Sequence, residues 1–449
     1  MRSHSWPKRV GFFTALIVVV GLGVVLGWYG TRPGPLAFAG SKTVPLAAYG
    51  GHPTGAPLDL RETDVLAQGR YLTQAADCEA CHTSDKAKPF AGGVAFKSAF
   101  GTLYSPNITP DKETGIGDWS DADFVKALHE GIARDGERLY PAFPYAAYTY
   151  LTDEDVLAIK AYLFSLAPVT YRPPKSHLRF PYNQRWLMAV WSGLFNPNKR
   201  FTLVERSPEW NRGAYLSEAL GHCGDCHTPR NHLQGLDNER KFAGGVAEGW
   251  RAYNITADPN SGVGAWREAE LAQYLSSGHA QGRGTAAGPM AQAVDLSFQN
   301  LTPSDVRAMV VYLRSVPGIA SKDLPAPRSA PAPEDPKGGV AAALNPRGKQ
   351  IFEGACASCH AWSGKSPLDE RATFTGSRAV NDPSALNVAN MVLHGSDRRT
   401  IDGTPAMPTF AAAYDDVEIA AVANYVTGRF GARASTLTAA DVHRLREME

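Results

Sequence analysis

This 449-residue chain has almost no net charge, no cysteine outside three short motifs, and few methionines in its first part. Lysine and arginine total 45 against 44 aspartate and glutamate, so the excess of positive charge that typifies nucleic-acid-binding proteins is missing. No methionine occurs between Met1 and Met188. All six cysteines lie in three C-x-x-C-H motifs, which leaves no thiol for a structural disulfide or for a cysteine iron ligand.

The C-x-x-C-H motif is the attachment signature of c-type haem. Its two thiols add to the vinyl groups of the porphyrin, and the histidine that follows binds the iron from the proximal side. Zinc sites would need the motifs to pair into four-ligand clusters, yet they lie far apart in the sequence. A thioredoxin-like cysteine pair would not need the histidine. The sequence therefore predicts three covalently bound haem c groups, held by Cys78, Cys81 and His82, by Cys223, Cys226 and His227, and by Cys356, Cys359 and His360.

An apolar run at residues 10–28 contains no charged residue and follows several basic ones. Its length suits a membrane-spanning helix of about 20 residues better than a signal-peptide core of about 7–15. We therefore predict an N-terminal membrane anchor that places the haem domains on the periplasmic face of the cytoplasmic (inner) membrane. The alternative is a signal peptide cleaved after Ala39, which would place the same domains in the periplasm.

The segments around the first two motifs repeat one another. LAQGRYLTQAADCEACH matches WNRGAYLSEALGHCGDCH, and both units continue with FAGGVA and an N-I-T stretch. A helix is predicted after Thr152 and after Thr302, because each threonine caps a run of apolar residues at helical spacing. The asparagines of the N-I-T stretches, Asn107 and Asn254, are interpreted as turn residues beside the haem rather than as glycan sites. The third unit is shorter but keeps the same frame.

These patterns predict a mostly α-helical chain of three tandem cytochrome c-type domains behind an N-terminal transmembrane segment. The predicted divisions are an anchor or signal at 1–35, a first domain at 62–168, a helical connector at 169–206, a second domain at 207–317, a proline-rich linker at 318–343, a third domain at 344–431 and a C-terminal tail at 432–449. Tryptophans near helical spacing in the connector indicate a helix wedged between the first two units. A docking face for a partner or for the membrane surface is the alternative.

Together the motifs resemble the three-haem cytochrome c subunit of bacterial membrane-bound dehydrogenases over about residues 62–431. The residues that carry this resemblance are F-A-G-G, S-P-N-I-T-P-D, L-Y-P-A-x-P-Y, L-T-D-E-D and the connector F-P-Y-N-Q-R-W-L-M. The resemblance implies electron transfer from a catalytic quinoprotein, flavoprotein or molybdenum hydroxylase subunit to ubiquinone or a terminal oxidase. It implies no substrate site on this chain and does not indicate which catalytic subunit is the partner.

Distal iron ligands are predicted from methionines in the Gly- and Pro-rich segments that precede the last helix of a unit. Met290 is expected to serve the second haem and Met407 the third. In the family, L-Y-P-A-M-P-Y often supplies the axial methionine of the first haem, but this chain has Phe143 there, which has no donor atom. The first haem is therefore expected to be five-coordinate or to receive a ligand from elsewhere. Met188 and His129 are the candidates, although His129 is expected to face solvent.

An open iron in the first unit allows a second interpretation, a peroxidase- or reductase-like haem enzyme. Such an enzyme needs a distal acid or base to move protons. The stretch around Phe143 is aromatic and apolar, which favours electron transfer instead. A haem subunit of a terminal oxidase fits the number of haems and the motifs less well.

We predict three haems per chain, measured as the pyridine haemochrome per mole of protein. Replacing Cys223 and Cys226 by serine removes both thioether bonds of one motif. The variant should therefore bind two haems, and its second unit should lose much of its core because the porphyrin fills it. Fewer than three haems in the unmodified chain would contradict the interpretation of the motifs.

Overall fold

The computed structural model describes residues 19–21, 23–24, 27–28, 31–40, 42–45, 53–61, 64–337, 339–400 and 402–448. Most of the apolar run predicted to be a membrane anchor lies outside these residues. Within the described part of the chain, no helix has both the length and the apolar character needed to cross a membrane.

Two longer helices frame each C-x-x-C-H motif, and we call them the opening helix and the closing helix of the unit. The opening helices are Val65–Ala75, Pro208–Tyr215 and Pro346–Ile351, and the closing helices are Asp153–Ser165, Pro303–Ser315 and Asp416–Phe430. In the second and third units the opening helix continues into π-helical turns at Leu216–Leu220 and Phe352–Cys356. The motifs themselves form the short helices Cys78–His82, Gly224–His227 and Ala357–His360.

Small sheets and further helices connect this frame. The other α-helices of the described residues are Asp121–Glu130, Tyr145–Tyr148, Leu187–Phe195, Glu268–Ser277, Gly288–Gln292, Gly339–Leu344, Leu386–His394 and Ala439–Glu447. Antiparallel strands pair Thr43–Val44 with Leu203–Val204, Ala95–Ser98 with Gly101–Tyr104, Gly101–Tyr104 with His177–Leu178, Gly245–Ala247 with Trp250–Ala252, His279–Ala280 with Gly284–Thr285, and Ser396–Asp397 with Ala406–Met407. The fold is thus mixed rather than mostly α, because loops between the helices satisfy their backbone groups by pairing locally.

Opening and closing helices cross at a glycine in every unit. A Cβ atom added to Gly69, Gly213 or Gly348 would lie 2.0, 1.9 or 2.2 Å from a backbone oxygen of the closing helix. Those oxygens belong to Ala158, Ala308 and Ala421. Since no side chain fits at this distance, glycine is what allows the two helix backbones to approach and fixes the ends of each unit relative to each other.

The first two units share one hydrophobic core, whereas the third has its own. Buried residues from Leu72 to Val316 form the shared core, and those from Ala332 to Leu445 form the core of the third unit. The predicted linker contributes Ala332 to the core of the third unit, and its Leu324 is also buried. The last part of the linker forms the helix that begins at Gly339.

Reciprocal hydrogen bonds join the first two units. The Tyr71 hydroxyl of the first opening helix donates to Asp305 at 2.6 Å, and the Tyr215 hydroxyl of the second opening helix donates to Asp155 at 2.5 Å. Each aspartate is the third residue of the other unit's closing helix. We call these two contacts the tyrosine clasps. They hold the first two units as one body.

The connector lies between the first two units, as the sequence predicted. In its helix Leu187–Phe195, the Trp191 ring packs edge-on against Tyr145 of the first unit at 6.0 Å, and its Nε1 donates to the Leu233 carbonyl of the second unit at 2.9 Å. The opposite face is exposed, with Trp186 at its start 65% accessible. The helix therefore bridges the two units while leaving an apolar face outside.

Gly213→Ala should lower the denaturant midpoint, because the new Cβ collides with the closing helix and overpacking costs on the order of 1–3 kcal/mol. Gly354→Ala is the matched control, since Gly354 is also helical but a Cβ there meets no atom within 4 Å. That control should gain about 0.5–1 kcal/mol from alanine's higher helix propensity. Unfolding of the haem-loaded protein followed by far-UV circular dichroism measures both. Equal midpoints for Gly213→Ala and the unmodified chain would refute the close crossing.

Candidate haem sites

The same hydrogen bond holds the histidine of every C-x-x-C-H motif. Nδ1 of His82, His227 and His360 lies 2.8, 2.6 and 2.7 Å from a backbone oxygen. These oxygens belong to Pro106, Tyr253 and Ala372. When Nδ1–H donates to the carbonyl, the lone pair lies on Nε2, the atom that can bind iron, and the ring cannot rotate freely.

The N-I-T stretch fixes that carbonyl in the first two units. Asn107 Oδ1 accepts hydrogen bonds from the backbone and hydroxyl of Thr109 at 2.9 and 2.7 Å. Asn254 Oδ1 accepts the same two bonds from Thr256 at 2.8 and 2.7 Å. Both asparagines are buried, so the interpretation as turn residues is confirmed. The residue before each asparagine supplies the oxygen that the histidine contacts, and the turn therefore orients the proximal ligand.

The third unit reaches the same contact without an N-I-T stretch. Ala372 is the last residue of the 3₁₀ turn Glu370–Ala372. Asp369 caps the start of this turn, because its side chain accepts a hydrogen bond from the Arg371 backbone at 2.9 Å. Phe374 then stacks on the His360 ring, with centroids 4.2 Å apart. A turn and an aromatic ring thus orient this imidazole.

Burial sets the charge state of the haem-attachment residues. It lowers the pKa of the three proximal histidines, which keeps each imidazole neutral, as an iron ligand must be. It raises the pKa of the Cys78 and Cys356 thiols, and it raises the pKa to about 12 for Cys81, Cys223 and Cys226. Zinc binds thiolates, and within the described residues no three His, Cys, Asp or Glu side chains cluster to hold a metal.

One cavity of about 850 Å³, which we call the shared cavity, joins the second and third units and also reaches Cys81 of the first motif. Its lining includes Cys223, Cys226, His227 and Met290 of the second unit and Cys356, Cys359, His360 and Met407 of the third. Each predicted distal methionine therefore faces the same space as its predicted proximal histidine. Met290 lies in the short helix Gly288–Gln292 and Met407 in a strand paired with Ser396. These residues fit a covalent haem c in each unit, whose iron supplies one-electron chemistry when bound.

The first unit has an aromatic cluster where the other units have methionine. The Phe143 ring lies 5.5 Å from the Tyr148 ring and 6.5 Å from the Tyr145 ring. The Tyr148 hydroxyl donates to the Ala76 carbonyl at 2.7 Å, just before the first motif. The cluster places carbon atoms where a distal methionine is expected, and both of its hydroxyls are already bonded, that of Tyr148 to Ala76 and that of Tyr145 to Ser192.

His129 is buried, so the expectation that it faces solvent was wrong. Its side chain is 1% exposed, and its Nδ1 lies 3.6 Å from Asp153 at the start of the first closing helix. Burial lowers its pKa to about 4, with Arg200 acting in the same direction and Asp153 against it. Sequence pattern alone suggested an exposed position. It did not show that the connector covers this helix, where Asn196 donates to the His129 carbonyl at 2.8 Å.

Sequence reasoning did not find two groups of residues at these sites. One is the set of carbonyls that orient the proximal histidines, which the repeated N-I-T stretch could have revealed in two units. The other is the set of arginines that line the shared cavity. Their positions follow no repeat, so no signal in one sequence identifies them.

The oxidised protein should show a high-spin ferric signal from one haem in three, because Phe143 cannot donate to iron. Phe143→Met should convert this haem to low spin and raise its reduction potential, since thioether ligation favours Fe(II). Electron paramagnetic resonance and spectroelectrochemistry measure the two effects, with Phe143→Leu as the control that adds no donor. Three low-spin haems in the unmodified chain would mean that another residue is the ligand. Met188 and His129 would then be replaced first.

Comparison with known proteins identifies the family of the chain. A family model described as cytochrome c matches residues 66–167 and 346–429. A nicotinate dehydrogenase subunit of Pseudomonas putida is 40% identical over 82% of this chain, which spans only 30% of that protein. The fructose dehydrogenase cytochrome subunit of Gluconobacter japonicus is 38% identical, covering 85% of this chain and 82% of that protein. The gluconate 2-dehydrogenase cytochrome c subunit of Pantoea cypripedii is 37% identical, covering 86% and 90%. The chain therefore belongs to the family of cytochrome c subunits of bacterial dehydrogenases.

Proposed function

We propose that this chain is the electron-transfer subunit of a dehydrogenase complex and binds three covalent haem c groups. The observation that carries the proposal is the repeated bond from a motif histidine to a backbone carbonyl in all three units. A chain with one or two degenerate motifs would not hold three partly buried imidazoles in the same orientation. Cys78, Cys81, His82 and their counterparts hold the haems, while Met290 and Met407 are the distal ligands of the second and third.

The three sites form a series with the second in the middle. The shared cavity brings the second and third sites together. The first site adjoins the second, because the Tyr148 ring of the first unit lies 5.7 Å from the His222 ring, which directly precedes the second motif. This arrangement supports transfer of electrons from one haem to the next along the chain.

The N-terminal segment supports a retained membrane anchor. Phe38 packs on the rings of Trp210 and Tyr312 at 6.3 and 6.1 Å, and Arg32 lies 3.4 Å from Asp237. Cleavage after Ala39 would remove these contacts from the mature protein. We therefore propose that the chain stays attached to the cytoplasmic membrane with its haem units in the periplasm.

The electron donor is proposed to be a catalytic dehydrogenase subunit, and the acceptor ubiquinone or a terminal oxidase. The relatives' names refer to dehydrogenases of nicotinate, fructose, gluconate and alcohol, which belong to the chemistry expected of molybdenum hydroxylase, flavoprotein and quinoprotein partners. The alternative of a haem enzyme finds no support in these relatives.

Membranes that contain the chain should show reduction of haem c when one of these four substrates is added, followed by reoxidation on addition of a ubiquinone analogue. Met290→His should slow reoxidation, because loss of the thioether lowers the potential of the middle haem. Met448→His is the control at an exposed methionine outside the haem sites. Peroxide turnover by the isolated chain, without substrate-driven reduction in membranes, would refute the proposal.

A further inference from the structure

Arginine is frequent around the shared cavity. Five arginines belong to its lining: Arg251, Arg283, Arg371, Arg378 and Arg398. Charged guanidinium groups at a largely apolar cavity are costly unless each has a partner of opposite charge. The partners of these five side chains therefore indicate whether the protein alone balances their charge.

Four of the five arginines form ion pairs within the protein. The pairs are Arg251 with Asp382 at 3.0 Å, Arg283 with Glu270 at 3.0 Å, Arg371 with Asp369 at 2.8 Å, and Arg398 with Asp295 at 2.5 Å. Arg378 differs, since its Nη1 donates to the Pro325 carbonyl at 2.7 Å and its Nη2 to the Asn260 carbonyl at 2.5 Å. Among the residues that the structure describes, no carboxylate forms an ion pair with Arg378.

The pKa shifts of Arg378 and Arg251 reflect this difference in ion pairing. Burial lowers the pKa of Arg378, and the nearby Arg251 acts in the same direction, while Tyr253, Asp382 and Asp258 only partly oppose them. At Arg251 burial also lowers the pKa, but the adjacent aspartates outweigh it and the pKa is raised. Arg378 is thus the one cavity arginine of the described chain whose charge lacks a matched carboxylate.

The position of Arg378 brings the second and third units together. It follows Phe374, the ring stacked on His360, by four residues. Its acceptor Asn260 belongs to the loop after Asn254, whose turn orients the carbonyl that holds His227. The guanidinium therefore links the third-unit segment after Phe374 to the second-unit loop after Asn254. Two of its five N–H donors bond to carbonyls, which leaves three for a further acceptor.

We propose that Arg378 binds a propionate carboxylate of a haem in the shared cavity and thereby raises that haem's reduction potential. This inference rests on the proposed function, because it requires haem in the second and third units. A carboxylate matches the planar fork of arginine and would supply the missing counter-charge. A fixed positive charge near the iron disfavours the ferric state, which has one more positive charge than the ferrous state.

Spectroelectrochemistry of the fully haem-loaded chain tests this. Arg378→Gln should lower one of the three potentials by about 59 mV, a tenfold change in the one-electron reduction equilibrium. Arg378→Lys should keep that potential near its original value because it keeps the charge. Arg433→Gln is the matched control, since Arg433 also donates to a linker carbonyl, that of Asp323, but is exposed outside the cavity.

Two further measurements complete the test: one assigns the shifted potential to a haem, and the other measures the haem content. Met290→His or Met407→His, combined with Arg378→Gln, shows whether the shifted potential belongs to the second or the third haem, because each changes the potential of its own haem. The pyridine haemochrome content is measured for every variant, so loss of haem, which would bear on the proposed function, is distinguished from a shift in potential. Unchanged potentials in Arg378→Gln at full haem content would overturn the inference.

If Arg378→Gln is not obtained with three haems, Arg378→Lys tests whether Arg378 bonds to a propionate. Lysine keeps the charge but cannot form the two-pronged hydrogen bond. The propionate bending band in the resonance Raman spectrum should then shift while the potentials stay unchanged. An unshifted band in Arg378→Lys would overturn the inference.

Discussion

The close crossing of the opening and closing helices is the constraint on which each unit depends. At Gly69, Gly213 and Gly348 two helix backbones approach to a distance that excludes any side chain. This contact joins the helix just before the C-x-x-C-H motif to the helix just after the segment that carries the predicted distal methionine, or Phe143 in the first unit. Both sides of the haem site are therefore held by one helix pair, and the loops between can differ in length and secondary structure without losing the site.

Some contacts between units are formed by residues at the N-termini of the closing helices, where the sequence predicts only helix capping. Thr152 and Thr302 cap their closing helices as predicted, each accepting a bond from the backbone three residues on. The aspartates at those positions, Asp155 and Asp305, do not return a bond to the cap but form the tyrosine clasps. The third unit is attached differently, through ion pairs such as that of Arg251 with Asp382. The first two units thus form one body and the third docks on it.

In electron transfer, the main roles of the protein are to hold the haems in a fixed orientation and to set their reduction potentials. The proximal contacts provide orientation, since each imidazole is partly buried and bonded through Nδ1. Tuning falls to the distal side and to nearby charge. In the first unit an aromatic cluster around Phe143 replaces the thioether. In the shared cavity the charge lies on arginines, four of them neutralised by carboxylates of the protein.

The sequence by itself determined the covalent chemistry, because thiol and histidine positions in C-x-x-C-H are set by local spacing. It also determined the helix caps and the N-I-T turns, which depend on residues two or three apart. Only the tertiary structure decided where His129 lies, which carbonyl each proximal histidine contacts and which arginines have partners. These depend on contacts between residues far apart in the chain, such as Arg378 with Asn260, and on burial by segments whose path local propensity does not specify.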